Sequence, residues 1–296
     1  MRVFRVLLAF WLMLFASNTA IAQDRPSVVA VNYPLQYFAE RLLSDAADVV
    51  FPVPKDVDPS FWRPSISDIT MIQSADLILL NGAGFATWVD RVSLPRSRLV
   101  NTTALIEDQF IVTKSITHSH GDGGEHSHEG LASYTWLDPL LAIAQAEAVA
   151  AAITAKGLVE ADEVANRLAT LKAELETLDA DARIALEGLK GVTMIATHPR
   201  YQYFARRYGL SLRSLEWEAG ERPERAQIDD LRQLTEQTGA QILIWEAEPP
   251  AAAFDTTSAL GLQNIVFAPL AHDVDGRTFI EAFKNAVSAL AEAEGQ

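Results

Sequence analysis

An α/β fold of two lobes, each a parallel-sheet α/β sandwich, joined by one long backbone helix, is predicted by three observations. Strand-type and helix-type segments alternate from Val28 to Asn101 and again from Val192 to Glu292. Several strand segments are apolar throughout, such as Ala75 to Leu80 (ADLILL) and Gln241 to Trp245 (QILIW), as strands are when helices cover both faces of a sheet. Between the two alternating regions, Glu160 to Leu189 carries one apolar stripe, with no Pro and with no Gly before Gly188.

Val28 to Val31 (VVAV) reads as a short buried strand. Asn32-Tyr33-Pro34 turns it into a helix, Leu35 to Leu43, with Leu35, Phe38, Ala39 and Leu42 on one face. Val49 to Val53 is a second strand, followed by Pro54 and an irregular stretch to Pro64. Ser65 to Gln73 is a short helix, N-capped near Pro64-Ser65. The ADLILL strand comes next, with Asn81-Gly82-Ala83-Gly84 at its carboxyl end. Trp88 and Val89 are assigned to a following helix and Arg98 to Asn101 to a strand.

Trp136-Leu137-Asp138-Pro139 opens a helix that runs to about Ala155. Asp138 is its N-cap, Pro139 takes the first position, where a missing N–H costs nothing, and Lys156-Gly157 ends it. In the long helix, Val164, Leu168, Leu171, Leu175, Leu178, Ala182 and Ala185 recur at spacings of four and three. Only about four heptads occur, inside an α/β chain, which favours packing along the same protein over a coiled-coil dimer.

The second half repeats the alternation. Val192 to Thr197 is a strand, Tyr201 to Tyr208 a helix ended by Gly209, and Ser211 to Trp217 extended. Pro223 to Thr238 is a helix stopped by Gly239; the QILIW strand, a helix over Ala251 to Leu260, a strand over Asn264 to Ala268 and a helix over Arg277 to Glu292 follow. The expected divisions are a leader at 1–22, an N-terminal lobe at 23–155 with a His-rich loop at 115–130, the connecting helix at 156–190 and a C-terminal lobe at 191–296. Ligands are expected in the cleft between lobes.

Arg2 and Arg5 precede an apolar run, Val6 to Ala16, too short to span a bilayer, and Ala20-Ile21-Ala22 is a small-residue cleavage site before Gln23. This is the pattern of a secretory signal peptide, with no Cys at the cleavage point for lipid attachment. A periplasmic protein is therefore expected. No other segment is read as long and apolar enough to cross a membrane. The chain has no cysteine, so neither disulfides nor thiolate ligands are available, and any metal must be held by His, Asp, Glu or water. A net charge of −15, made more negative by loss of Arg2 and Arg5, argues against nucleic acid or anionic lipid as a partner.

Four of the six histidines, His118, His120, His126 and His128, lie in THSHGDGGEHSHEG as two His-Ser-His pairs around a Gly/Asp/Glu run. Neutral imidazole is the commonest side-chain metal ligand, and the glycines deny the stretch a core of its own. It reads as a metal-catching loop. Enzyme readings find little: no G-x-S-x-G, H-E-x-x-H or P-loop pattern is present. Glu246 and Glu248, two apart at the end of QILIW, are expected to diverge and so make a poor acid–base pair.

Several stretches carry a resemblance. They are Asp58-Pro59-Ser60 through Pro64-Ser65 to Asp68, Ser74-Ala75-Asp76 with Asn81-Gly82, and Trp136-Leu137-Asp138-Pro139. Further on come Thr197-His198, Tyr203-Phe204-Ala205, Tyr208-Gly209-Leu210 and Glu248-Pro249. Together with the layout they resemble the solute-binding proteins of zinc and manganese ABC transporters, over essentially the whole chain after the leader. The resemblance implies two lobes on a rigid helix, a zinc ion (Zn2+) or other divalent metal bound between them, and a monomer that delivers metal to ABC permease subunits in the inner membrane.

It also implies four metal-ligand positions, and this chain departs at three of them. Ser60 and Tyr134 stand where the resemblance implies histidines, and Ala268 where it implies an Asp or water; only His198 matches. Three readings of the cleft follow. A metal site is rebuilt from Asp58, Tyr134, His198, Glu246 and Glu248, with His272 or Asp273 lending a ligand. Alternatively the cleft holds no metal, and the His-rich loop is the metal-handling part, serving either a transporter or a periplasmic buffer or chaperone. Or the cleft takes a chelate or small organic ligand against Phe61, Trp62, Arg63, Tyr134 and Trp136, aromatics that equally serve packing between lobes. Taken by itself, His272 reads as an exposed loop residue and Asp273-Val274-Asp275-Gly276 as a turn rather than a calcium loop.

Overall fold

A computed structural model describes residues 25–113 and 130–293. The expected leader and His118, His120, His126 and His128 lie outside the described residues. The rest forms two halves, each a four-stranded, fully parallel sheet flanked by helices.

In the first half, β1 (Ser27–Ala30), β2 (Asp48–Val50), β3 (Leu77–Leu80) and β4 (Leu99–Asn101) lie in the order β2-β1-β3-β4, with Val28 paired to both Val49 and Leu77. Their connections include α1 (Tyr33–Leu43) and α2 (Ile66–Ser74). The Asn32 side chain accepts from the Leu35 N–H, so α1 starts two residues earlier than the sequence predicts, with Pro34 inside the first turn where it displaces no hydrogen bond. Ser65 caps α2 and Asp68 returns the bond, a complete capping box. The helix expected at Trp88-Val89 is a single 3₁₀ turn, Val89–Arg91, because Trp88 provides no side-chain cap and Pro95 closes off further turns.

A two-stranded antiparallel hairpin, β5 (Val112–Thr113) and β6 (Gly130–Leu131), flanks residues 114–129. The chain then enters α3 (Pro139–Lys156), capped by Asp138 and ended by Gly157 in the left-handed region, and α4 (Ala161–Ala185). Helix α3 corrects the expectation that no later segment could cross a membrane, since its 18 residues suffice in length and apolarity. Its Leu141, Ala142, Ile143, Ala146, Val149, Ala150 and Ile153 are buried within the protein, so it is a core helix here. The stripe of α4 faces inward as predicted: Val164, Leu171, Leu175, Leu178 and Ala182 are buried, and Leu168 and Ala185 half-buried, against neighbouring helices.

In the second half, β7 (Thr193–Ala196), β8 (Ser211–Ser214), β9 (Ile242–Trp245) and β10 (Gln263–Val266) lie in the order β10-β9-β7-β8. They are connected through α5 (Gln202–Tyr208), α6 (Arg225–Thr238) and α7 (Ala251–Ser258), and α8 (Phe279–Glu292) closes the described chain. One contiguous apolar core runs from Val28 and Phe38 through Trp136 and Leu175 to Phe204, Phe267 and Phe283. The halves thus share a core. Phe38 meets Phe279 at 5.6 Å and Phe204 meets Phe267 at 5.0 Å, both edge to face.

Candidate metal cleft

The cleft is built at the carboxyl ends of the strands, where open parallel sheets place ligand-binding groups. Asp58 and Ser60 come from the loop after β2, and Tyr134 from the turn before α3. His198 and Arg200 follow β7, and Glu246 is the residue next after β9. A cavity of about 430 Å³ lies here, lined among others by Asp58, Tyr134, Glu246, Ala268, His272 and Asp273.

The residue at the centre is Arg200, which the sequence reading did not single out. Its side chain is only 8% exposed. Nη2 donates to Asp58 Oδ2 at 2.6 Å and Nε to Glu246 Oε2 at 3.3 Å. The guanidinium lies over the Tyr134 ring, 4.7 Å from its centroid, and 5.7 Å from that of Phe61. Asp58 is held in turn by Ser60, whose backbone N–H (2.8 Å) and hydroxyl (2.6 Å) both donate to Oδ1. Burial works against the Arg200 charge, but Tyr134, Asp58 and Glu246 outweigh it and hold its pKa above the usual arginine value. For Glu246 the balance falls the other way: burial raises its carboxyl, and Arg200 offsets this only in part.

The expected ligands are distributed around this cation. His198 is buried, and burial, then the Arg200 charge, hold its pKa down, so it is neutral at pH 7. Its Nδ1 lies 2.9 Å from the Trp217 carbonyl and 3.7 Å from Glu246 Oε1. Because a carbonyl can only accept, Nδ1 carries the proton and the Nε2 lone pair is left for a ligand. The Tyr134 hydroxyl is buried and pushed far up by desolvation, with Arg200 lowering it only partly, so it stands in this cleft as a neutral phenol.

Three expectations are corrected. His272 is not merely exposed: it is half-buried, its Nε2 donates to the Val57 carbonyl at 2.7 Å, and its ring packs on Phe51. That bond fixes the tautomer and leaves Nδ1, not Nε2, as the nitrogen with a free lone pair. Glu248 is exposed and does not join Asp58, Tyr134, His198 and Glu246. Glu246 and Glu248 do diverge, but not because of strand alternation, which would put residues two apart on one face; β9 ends at Trp245 and the chain turns away. Asp273 is drawn 3.5 Å from Lys55, and Ala268 lines the cavity without a donor side chain. Of the aromatics weighed for an organic ligand, Trp62 packs edge to face on Trp88, and Trp136 lies in the core with its indole N–H on the Pro269 carbonyl.

Among the described residues, no three His, Asp or Glu side chains converge as a metal site would require. The donor set does not fit a divalent ion. His198 is the imidazole beside Arg200, and the two nearest carboxylates, Asp58 and Glu246, are both engaged by that guanidinium. A single signal could have pointed there: carboxylates in a cleft without the implied histidines call for another cation, and an arginine of the chain can supply it.

Comparison with known proteins came out consistently. The family described as zinc-uptake complex component A, periplasmic, matches residues 28–293. The high-affinity zinc uptake system protein ZnuA of Bacillus subtilis is 24% identical over 292 residues, covering 91% of this chain and 88% of that one. The Zn(II)-bound structure of AdcA from Streptococcus pneumoniae superposes with a TM-score of 0.76 at 20% identity, over 92% of this chain but 58% of that longer one. FpvC from Pseudomonas aeruginosa, solved with Mn2+, gives a TM-score of 0.76 at 18% identity, over 92% and 99% of the two chains. At these identities the two superpositions speak for the fold.

Proposed function

The chain belongs to the zinc-uptake complex component A family, and from that premise we propose that it is the exported solute-binding component of an ABC uptake system for zinc, with its metal held by His118, His120, His126 and His128. Residues 1–22 direct export to the periplasm. The lobes at 23–155 and 191–296, braced by the helix region 156–190, dock a permease in the inner membrane as a monomer. The protein carries cargo and performs no catalysis.

The observation that carries this reading is the distribution of imidazoles. Of six histidines, four lie within 118–128, His272 is tied to Val57, and His198 stands alone beside Arg200. Tight zinc sites take three or four protein ligands, and the segment has that number of histidines, whereas among the described residues no three such donors converge in the cleft. The hairpin β5–β6 gives the segment an anchored stem. Tyr203 on α5 donates to the Ala132 carbonyl at 3.0 Å and accepts from the Ile111 N–H at 3.3 Å, and Arg206 donates to the Gln109 carbonyl at 2.6 Å.

Competition of the mature protein against a chromophoric zinc chelator tests the assignment. The variant with all four histidines changed to serine (His118→Ser, His120→Ser, His126→Ser, His128→Ser) should lose zinc binding, and His198→Ala should keep it. Retention in the four-serine variant with loss in His198→Ala would move the metal back to the cleft. A wild type that takes no zinc would remove the metal from the reading.

A further inference from the structure

We infer that Arg200 is the resident cation of this cleft: its guanidinium holds the two halves together in the place where a divalent ion would otherwise bridge them, and it denies the cleft to metal. The geometry is that of a bound ligand rather than a surface ion pair. The group is almost wholly buried, receives one carboxylate from each half, Asp58 and Glu246, and rests on the face of Tyr134 from the first half. Guanidinium suits such a socket because it is planar, permanently charged and weakly hydrated, so it loses less on burial than an ammonium or a bare divalent ion.

The neighbours are matched to it. The Ser60 hydroxyl and N–H fix the Asp58 carboxylate from behind, which leaves Oδ2 for Arg200. The Arg200 backbone N–H donates to the His198 carbonyl at 2.9 Å across Pro199, and this tight turn carries the side chain into the cleft. A second cation in the same place would meet the guanidinium at contact distance, and like charges in a low-dielectric site repel strongly. Expelling Arg200 would in turn strand its charge or leave two carboxylates unpaired.

Two consequences follow. The apposed arrangement does not wait for cargo, and the acidic cleft is selective against divalent ions despite its carboxylates. Neither rests on the zinc assignment to the histidine segment, and a failure of that segment to bind zinc leaves both intact.

The test uses the full mature chain in the four-serine background, with Co2+ as probe because its visible absorption reports ligand number. With Arg200 present, no stoichiometric Co2+ band should appear, and the melting temperature should be the same in EDTA and in excess Zn2+. Arg200→Met, which keeps the length but removes the charge, should melt about 5 °C lower. Added Co2+ or Zn2+ should recover part of that loss, since Asp58, Glu246 and His198, which do not converge on an ion with Arg200 in place, are then free to close on one that binds only the folded state. A one-to-one Co2+ site with Arg200 in place, abolished by His198→Ala, would overturn the inference. So would an Arg200→Met protein whose melting temperature is unchanged. If Arg200→Met does not fold, the arm with Arg200 intact can still overturn the inference.

Discussion

Asp58 and Arg200 meet at 2.6 Å across the cleft, 142 residues apart in the chain, and the carboxylate that accepts the guanidinium is also the acceptor for Ser60. One side chain is fully enclosed and the other a third exposed, at 8% and 33%. Removing one member of such a pair leaves the other in a poorly solvated site, which costs more than the pair itself contributes. Asp58→Asn should therefore destabilise by about 2 kcal/mol in urea unfolding, tempered by the exposure of Asp58 and by Glu246, which still holds Arg200. Ser60→Ala should cost about 1.5 kcal/mol, the lower end for one hydrogen bond to a charged acceptor. Because Ser60 acts through Asp58, the double variant should fall short of the sum by about 0.5 kcal/mol or more. Strict additivity would mean that Ser60 does not orient the carboxylate.

Gly82 is a second sharp test. It lies just past β3 with φ +75°, and a Cβ there would sit 2.1 Å from Thr103 Oγ1 and 2.2 Å from Asn101 Oδ1. Those side chains cannot retreat freely, since Thr103 Oγ1 donates to the Asn81 carbonyl at 2.7 Å and Asn101 Oδ1 accepts from the Thr103 N–H at 3.2 Å. Gly157 offers the control: its φ is similar, +65°, but open space surrounds it. Gly157→Ala should cost about 1 kcal/mol, the left-handed penalty alone. Gly82→Ala should cost about 3 kcal/mol, because steric overlap is added. Equal melting temperatures for the two variants would show that the Asn81–Thr103 loop yields at little cost.

Much of the fold was legible because periodicity and punctuation agree. Asp138-Pro139 and Gly157 bound α3 as their chemistry requires, and the Val164–Ala182 stripe faces the core. The cleft was less legible. Ser60, Tyr134 and Ala268 could be read only as missing ligands, because what they do instead is defined by Arg200, and no local spacing ties Arg200 to Asp58. A buried ion pair between distant loops has no sequence period. The same holds for His272, whose partner, the Val57 carbonyl, is a backbone atom 215 residues away that no side-chain pattern announces.

The brace between the long helix and the second half should be sensitive to acid. Asp179 on α4 accepts from Arg207 on α5 through both oxygens, at 2.7 and 2.5 Å, and Arg183 adds a longer contact at 3.4 Å. Burial raises the Asp179 carboxyl, but the hydrogen bonds and charge of Arg207, with Arg183, more than offset it, and its pKa lies below the ordinary value. In the unfolded chain the group titrates near 3.9. The folded protein therefore binds fewer protons than the unfolded one between these two values, and stability falls as pH falls through that window. Above about pH 4 the contribution is fully present. Asp138 and Glu246 cannot supply this slope, because burial shifts both upward, and an acid shifted upward favours the folded state as pH falls. Asp179→Asn should cost about 2 kcal/mol at pH 7, with Arg207 keeping only its 3.7 Å contact to Asp138. The penalty should shrink as the pH falls below about 4 and approach zero once it passes the lowered pKa of Asp179, where the wild type has lost the same interaction. Urea unfolding at a series of pH values reads this directly; a penalty that stays constant from neutral to acid would show that the pair's contribution is steric rather than electrostatic.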